Sequence, residues 1–339
     1  MPGEGDWIAS FQTVHRGAKP GGLSDLEALH AREDVRLMPL QRNAKGLLLD
    51  LPSLGRVDYT TRNACVTCTR REAVKSVLPV GEGATLFGDG DGLRWLDGSW
   101  RHTVAVLSRS MDFTGTPPCL LLFGETGELA HQVTLPDPEA WEAFIALVRR
   151  HHGCWNCLSH RPTTAGPATA AQGACPIWML REAWSGAGSE RDLEIRLGGL
   201  GLDRLLALRA MEGLYTSLIT VQDLASVLAG LAASGLPVHA QVGNRHCTQV
   251  LESPIGDLTL GPGDWKIHLD GALLTLDPSG LDTLWSVAQP SPSGERHRLE
   301  CYDAAGGRVL VLSSPQDPCP LVHLGWQRLL GRLDGGSFH

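Results

Sequence analysis

Short runs of apolar and β-branched residues, bounded by Gly, Asp and Pro, recur through most of the chain. His102 to Leu107, Cys119 to Phe123 and Gln132 to Leu135 are of this kind and predict antiparallel strands. Elsewhere the apolar period is helical. Glu139 to Arg150 places Trp141, Phe144, Ile145, Leu147 and Val148 on one face, and Leu324 to Leu333 repeats the pattern with Trp326, Leu329, Leu330 and Leu333. Asp203 to Leu208 also has helical spacing, and Thr220-Val221-Gln222-Asp223 is a capping box that opens a helix over Leu224 to Ala233.

The pattern occurs twice. Asn63, in Thr61-Arg62-Asn63-Ala64-Cys65, has its counterpart in Asn244, in Gly243-Asn244-Arg245-His246-Cys247, and each marks the first strand of a unit. The turns around Phe123-Gly124-Glu125-Thr126-Gly127 and Tyr302-Asp303-Ala304-Ala305-Gly306 correspond in the same way. The offsets are 244 − 63 = 181 and 302 − 123 = 179, nearly constant over the length of a domain. The fold class that follows is α+β: two tandem repeats, each a mainly antiparallel sheet closed by a C-terminal amphipathic helix. One helix-covered face per sheet is the simplest packing, with two extra helices inserted before the second sheet. The first repeat spans 1–152 and the second 177–339. Between them, 153–176 is rich in Thr, Ala, Gly and Pro and is the linker.

Composition narrows the function. A net charge of −8 offers no basic stripe for nucleic acid or an anionic membrane surface, and no apolar run approaches a membrane span. The first residues lack a basic and apolar leader, so a cytoplasmic location is expected. Nine cysteines cannot all pair within one chain, which agrees with reduced thiols.

Two Cys-x-x-Cys pairs stand out, Cys65 with Cys68 and Cys154 with Cys157. Together they match the donor set of one tetrahedral zinc. The alternatives are a redox pair, a disulfide within the linker, or buried cysteines acting as small hydrophobes, because Cys65 and Cys68 would face opposite sides of a regular strand. Gly88-Asp89-Gly90-Asp91-Gly92 lacks the distal ligand of a calcium loop and reads as a hairpin turn.

Several strings in order, Thr61-Arg62-Asn63, Gly92-Leu93-Arg94, Glu182-Ala183-Trp184, Gly263-Asp264-Trp265 and Leu299-Glu300-Cys301-Tyr302-Asp303, resemble the HemS/ChuS family of haem-degrading and haem-trafficking proteins. The resemblance runs from about Leu23 to Leu333 and implies a cleft between the halves holding one haem. It also implies a haem-import or reductase partner, a place in iron acquisition, and either haem transport or oxidative ring opening. By family position, Arg94 is the distal arginine and Arg204 the arginine that pairs with a propionate. The position of the axial histidine holds Arg191, and no histidine lies between His160 and His239. A protonated guanidinium has no lone pair for iron, so carriage of haem or a related tetrapyrrole is expected ahead of catalysis, with no catalytic residue assigned. Substitute ligands by chemistry alone are His151, His152, His160, Cys154 and Tyr215. A scaffold whose only cofactor is a cysteine-bound metal is the third reading.

Overall fold

The computed structural model describes residues 24–41, 44–80, 83–88, 93–95, 100–108, 117–154, 175–290, 295–315 and 318–331. The first copy contains α1 (Asp25–His30), β1 (Val35–Pro39), α2 (Ala44–Asp50), β2 (Arg56–Arg62), β3 (Val66–Ala73), β4 (Ser76–Val80), β5 (Gly83–Phe87), β6 (Leu93–Trp95), β7 (Trp100–Ser108), β8 (Cys119–Gly124), β9 (Leu129–Thr134) and α3 (Trp141–Arg150). Then come α4 (Ile177–Ser185), α5 (Glu190–Gly199), α6 (Arg204–Ala210) and β10 (Thr216–Ile219). The second copy continues with α7 (Val221–Ser234), β11 (Pro237–Gly243), β12 (Cys247–Pro254), β13 (Leu258–Thr259), β14 (Trp265–Leu269) and β15 (Ala272–Leu276). It ends with β16 (Leu281–Gln289), β17 (Arg296–Asp303), β18 (Arg308–Ser313) and α8 (Pro320–Leu330).

The two copies do not build separate sheets. One nine-stranded sheet runs β1-β7-β8-β9-β2-β3-β15-β14-β13, and the other runs β10-β16-β17-β18-β11-β12-β6-β5-β4. Each copy therefore gives a three-stranded unit to the sheet of the other. The departure point is short. Only Val74 and Lys75 separate β3 from β4, and Lys75 N donates to Phe87 O at 2.8 Å, so the chain leaves one sheet and enters the other within two residues.

The exchange mixes the cores. Cys65, Val66 and Cys68 of the first copy pack in the cluster built on Leu224, Leu228 and Leu231 of α7, while Cys247 of the second copy packs with Phe144, Leu147 and Val148 of α3. Both helices form as their patterns predict. In α7 the buried residues are Leu224, Val227, Leu228 and Leu231; Thr220 and Asp223 make the capping box, and Gly235 ends the helix at φ +63°.

Three sequence expectations are corrected. Asn63 and Asn244 close the second strand of each copy, because the short strands β1 and β10 come first. Four helices, not two, lie between the linker and β11, and α7 is no insertion, since it occupies the place that α2 holds in the first copy. The second sheet carries helices on both faces: α7 and α8 on one, and α4 to α6 on part of the other. A sheet buried on both sides has charged residues where one-sided packing would expose them, and those residues define the site.

Candidate functional site

Alternation along the central strands of the second sheet sorts two faces. Val238, Ala240 and Val242 of β11 and Leu299 and Cys301 of β17 enter the core beneath α7. Their neighbours His239, Gln241, Arg298, Glu300 and Tyr302 therefore belong to the opposite face. Register lines these up across the strands: Glu300, Val311, Gln241 and Val250 form one row, and Arg298, Ser313, His239 and Glu252 the next. On this face α4 to α6 cover β16 and β17, where Trp184, Leu193 and Leu208 pack on Trp285, Val287 and Tyr302. Next to them lies a cavity of about 570 Å³ over β11, β12 and β18, lined by Gln241, Thr248, Asp303, Arg308 and Val311 and, from the first copy, by Asn63 and Ala64.

Beneath the cavity edge is a buried ionic network. Glu300, fully buried, takes two bonds from Arg204, Nη2 to Oε1 at 2.5 Å and Nε to Oε2 at 3.2 Å, and Tyr302 donates its hydroxyl to Oε2 at 2.7 Å. Arg298 lies 3.4 Å from Glu300, and both Arg298 and Arg308 reach Glu190 of α5, at 3.5 and 2.6 Å. Arg308 Nη2 also donates to Glu194 at 3.1 Å, which ties α5 to β18. Arg204 lies 4.9 Å over the Trp184 ring.

Burial alone would push the Glu300 carboxyl up, but the guanidiniums of Arg204, Arg298 and Arg308 outweigh it and hold it well below the usual range. Arg298 is pulled below its ordinary value, by burial and by neighbouring Arg204. The three guanidiniums are matched by Glu300, Glu190 and, at the exposed end, Glu194, and Arg204 Nη1 is buried without a hydrogen-bond partner. Arg308 lines the main cavity and also a second one, of about 470 Å³, bounded by Arg204, Arg209 and Tyr302. The arrangement suits a carboxylate-bearing ligand.

Among the described residues, the first copy lacks this network. At the equivalent positions (298 − 179 = 119, 300 − 179 = 121, 302 − 179 = 123, 308 − 179 = 129) stand Cys119, Leu121, Phe123 and Leu129, packed with Leu26 and Leu29 of α1. At the matching described positions, the charges stand in the second copy and apolar residues in the first.

The residues singled out by sequence distribute unevenly. Arg94 sits on β6, which has joined the second sheet; its backbone pairs with Thr248 and Thr85, in the row that borders the cavity. Arg204 is committed to Glu300. Arg191 is exposed at the second residue of α5, next to Glu190. The shared zinc centre is not formed. Cys65 Sγ donates to Gly280 O at 3.0 Å and Cys68 Sγ to Gln249 Oε1 at 3.3 Å, and burial pushes these thiols up to about 11 and about 12, against the thiolate a metal needs. Cys154 is exposed beside β1, Cys157 lies outside the described residues, and among the described residues no three His, Cys, Asp or Glu side chains gather as a metal site.

Among the substitute ligands, His151 Nε2 is bonded to Asp50 at 2.7 Å, His152 is exposed in the first copy, and Tyr215 stacks on Trp184 with centroids 6.3 Å apart. His160 lies outside the described residues. Sequence reasoning missed Glu190, Arg298, Glu300 and Arg308 as a group. The available signal was an Arg and a Glu two residues apart on β17, alternating with the apolar Leu299 and Cys301.

Comparison with known proteins places the chain. Residues 201–333 match the family model described as the haemin-degrading HemS.ChuX domain. No curated protein matches the sequence. Among solved structures, apo-PhuS, a heme-binding protein from Pseudomonas aeruginosa, is similar at 23% identity over 97% of this chain and 98% of its own, with a TM-score of 0.81. ChuS, a heme oxygenase from E. coli, is similar at 17% identity over 96% of this chain and 98% of its own, with a TM-score of 0.79.

Proposed function

From a chain whose residues 201–333 belong to the haemin-degrading HemS.ChuX domain family and whose fold is that of PhuS and ChuS, we propose a haem or tetrapyrrole carrier. The ligand occupies the cavity on the second sheet, and the chain hands it on without opening the ring. The observation that carries this reading is the cavity itself, bordered by both copies and backed by an arginine-rich ionic network with a free donor, Arg204 Nη1. A macrocycle needs a broad floor and a place for its carboxylates. Val311 and Gln241 supply the first, Arg308 and Arg204 the second, and β6 brings Arg94 to the rim.

The fit is good for the acidic edge of the ligand and poor for the usual iron bond, because α5 presents Arg191 where an imidazole is required. When bound, haem would supply an iron capable of activating dioxygen; this chain's residues bind and orient the macrocycle but offer no ligand from α5 to tune that chemistry. Carriage is therefore favoured over catalysis. An odd number of cysteines, nine, agrees with a reducing, cytoplasmic setting, with a haem-import component or a haem acceptor as partner.

Titration of the purified chain with haemin tests the reading. Saturable Soret changes at micromolar haemin are expected, weakened in Arg308→Ala. Incubation with oxygen and ascorbate is expected to leave the bound spectrum in place, without biliverdin-like absorbance. Absence of saturable binding would remove the proposal.

A further inference from the structure

We infer that the cavity recognises a tetrapyrrole by its carboxylates and pyrrole N–H groups and not by its iron, so that a metal-free porphyrin is a ligand in its own right; this rests on the carrier reading above. A pocket that selects for iron must aim a lone pair at it. Among the described residues, the linings of both cavities contain no imidazole, thiol or thioether, and the Tyr302 hydroxyl is donated to Glu300 at 2.7 Å. The donors around them are engaged elsewhere. His246 Nε2 is bonded to Glu128 at 2.7 Å, and His239 is buried between Glu252 and Gln241. Cys301 points into the α7 core, where burial pushes its thiol up to about 12. Arg191 stands on α5 where an imidazole would be needed.

What the lining does offer is hydrogen-bond acceptors. Gln241 donates its amide nitrogen to His239 at 3.1 Å, which leaves the carbonyl Oε1 as the open end of this cavity residue. Asp303 Oδ1 takes the amides of Ala305 and Gly307 at 3.0 and 2.8 Å, which leaves Oδ2 open among the described residues. A metal-free ring carries N–H donors, whereas in haem the same nitrogens are bound to iron and donate nothing. A site whose acceptors match a ligand N–H disfavours the analogue that lacks it, because those acceptors are then left unpaired.

The acidic edge of the ligand meets guanidiniums. Arg204 Nη1 is buried without a partner, Arg308 lines both cavities, and Arg209 is exposed in the second. A porphyrin has the same carboxylates with or without its metal, so this part of the binding is indifferent to iron. Under the repeat offsets, 241 − 181 = 60 and 303 − 179 = 124. The first copy has Thr60 there, bonded across the strands to Thr69 at 3.0 Å, and Gly124. The open acceptors, like the charges, stand in the second copy.

Parallel titrations of the full-length chain with haemin, protoporphyrin IX and protoporphyrin IX dimethyl ester test the inference. Protoporphyrin should bind at least as tightly as haemin, within a factor of about three, and the ester about tenfold more weakly than the free acid. Bound ferric haemin should be high-spin by electron paramagnetic resonance and should become nitrogen-ligated only when imidazole is added. Gln241→Leu, an apolar exchange between Val311 and Val250, should weaken protoporphyrin about fivefold and haemin less. Haemin held by a nitrogen of the protein, or preferred to protoporphyrin by more than that factor, overturns the inference and leaves the carrier reading standing. Equal binding of the ester overturns the role of the carboxylates, and equal effects of Gln241→Leu on both rings overturn that of the acceptor. No saturable binding of either ring overturns the inference and the carrier reading together.

Discussion

Glu300 shows what a single residue does here. A carboxylate without solvent contact is tolerated because three guanidiniums and a phenol hydroxyl surround it. Removing that charge takes from Arg204 the carboxylate it holds with two hydrogen bonds and from Arg298 one of its two acidic partners, and losing one partner of a buried ionic group costs about 3–5 kcal/mol. Glu300→Gln is therefore expected to lower the unfolding free energy measured by urea denaturation at neutral pH by that amount. The pH dependence has a definite sign. The folded carboxyl titrates below its unfolded value, so its contribution is complete above the ordinary glutamate range near pH 4.5 and is lost as the pH falls below it. Wild-type stability should decline steeply in acid, and the Gln variant more gently; equal acid slopes would refute this account of Glu300. Arg204 was legible in the sequence through family position, but its partner was not, because the Arg204 to Glu300 contact spans 96 residues and follows from α6 lying across β17.

At the scale of elements, two turns fasten the copies together. Asn63, between β2 and β3, donates through Nδ2 to Gly243 O at 2.9 Å and Val309 O at 2.7 Å. Asn244, between β11 and β12, donates to Arg62 O and Ala130 O, both at 2.8 Å. Each Oδ1 accepts from two amides of its own turn, those of Cys65 and Val66 in one copy and of His246 and Cys247 in the other. The contacts are reciprocal under the repeat offset. An alanine at either site abandons four hydrogen bonds and leaves partly buried carbonyls unpaired, at a cost of about 1–3 kcal/mol by chemical denaturation. Asn63→Asp separates the functions, since it keeps both acceptors and loses both donors; a loss as large as that of Asn63→Ala is expected if the bonds between copies dominate, and wild-type stability would show that the local turn is what matters. Both asparagines were visible as repeat markers from offsets alone. Their reach across the interface was not, since a sequence offset carries no information about which copy a side chain touches.

For the whole molecule, the exchanged strands decide how it comes apart. Sequence showed the duplication and the strand sets, and it suggested two tandem repeats joined by a linker at 153–176. It could not show that β4 to β6 and β13 to β15 change sheets, because either destination satisfies the same alternation of apolar and polar residues. A segment of 177–339 alone would lack β4 to β6 along the edge of its sheet and would miss Cys65, Val66 and Cys68 from the core under α7. A segment of 1–152 would lack β13 to β15 and Cys247. Neither core closes without the other chain half, so calorimetry of the intact protein should give one transition whose van't Hoff and calorimetric enthalpies agree. Each half expressed alone should bind a hydrophobic dye and unfold without cooperativity, whereas mixing the two should restore a cooperative transition. Two resolved transitions in the intact chain would mean that the exchanged strands contribute little, and would return the cavity between them to a surface that two independent domains merely share.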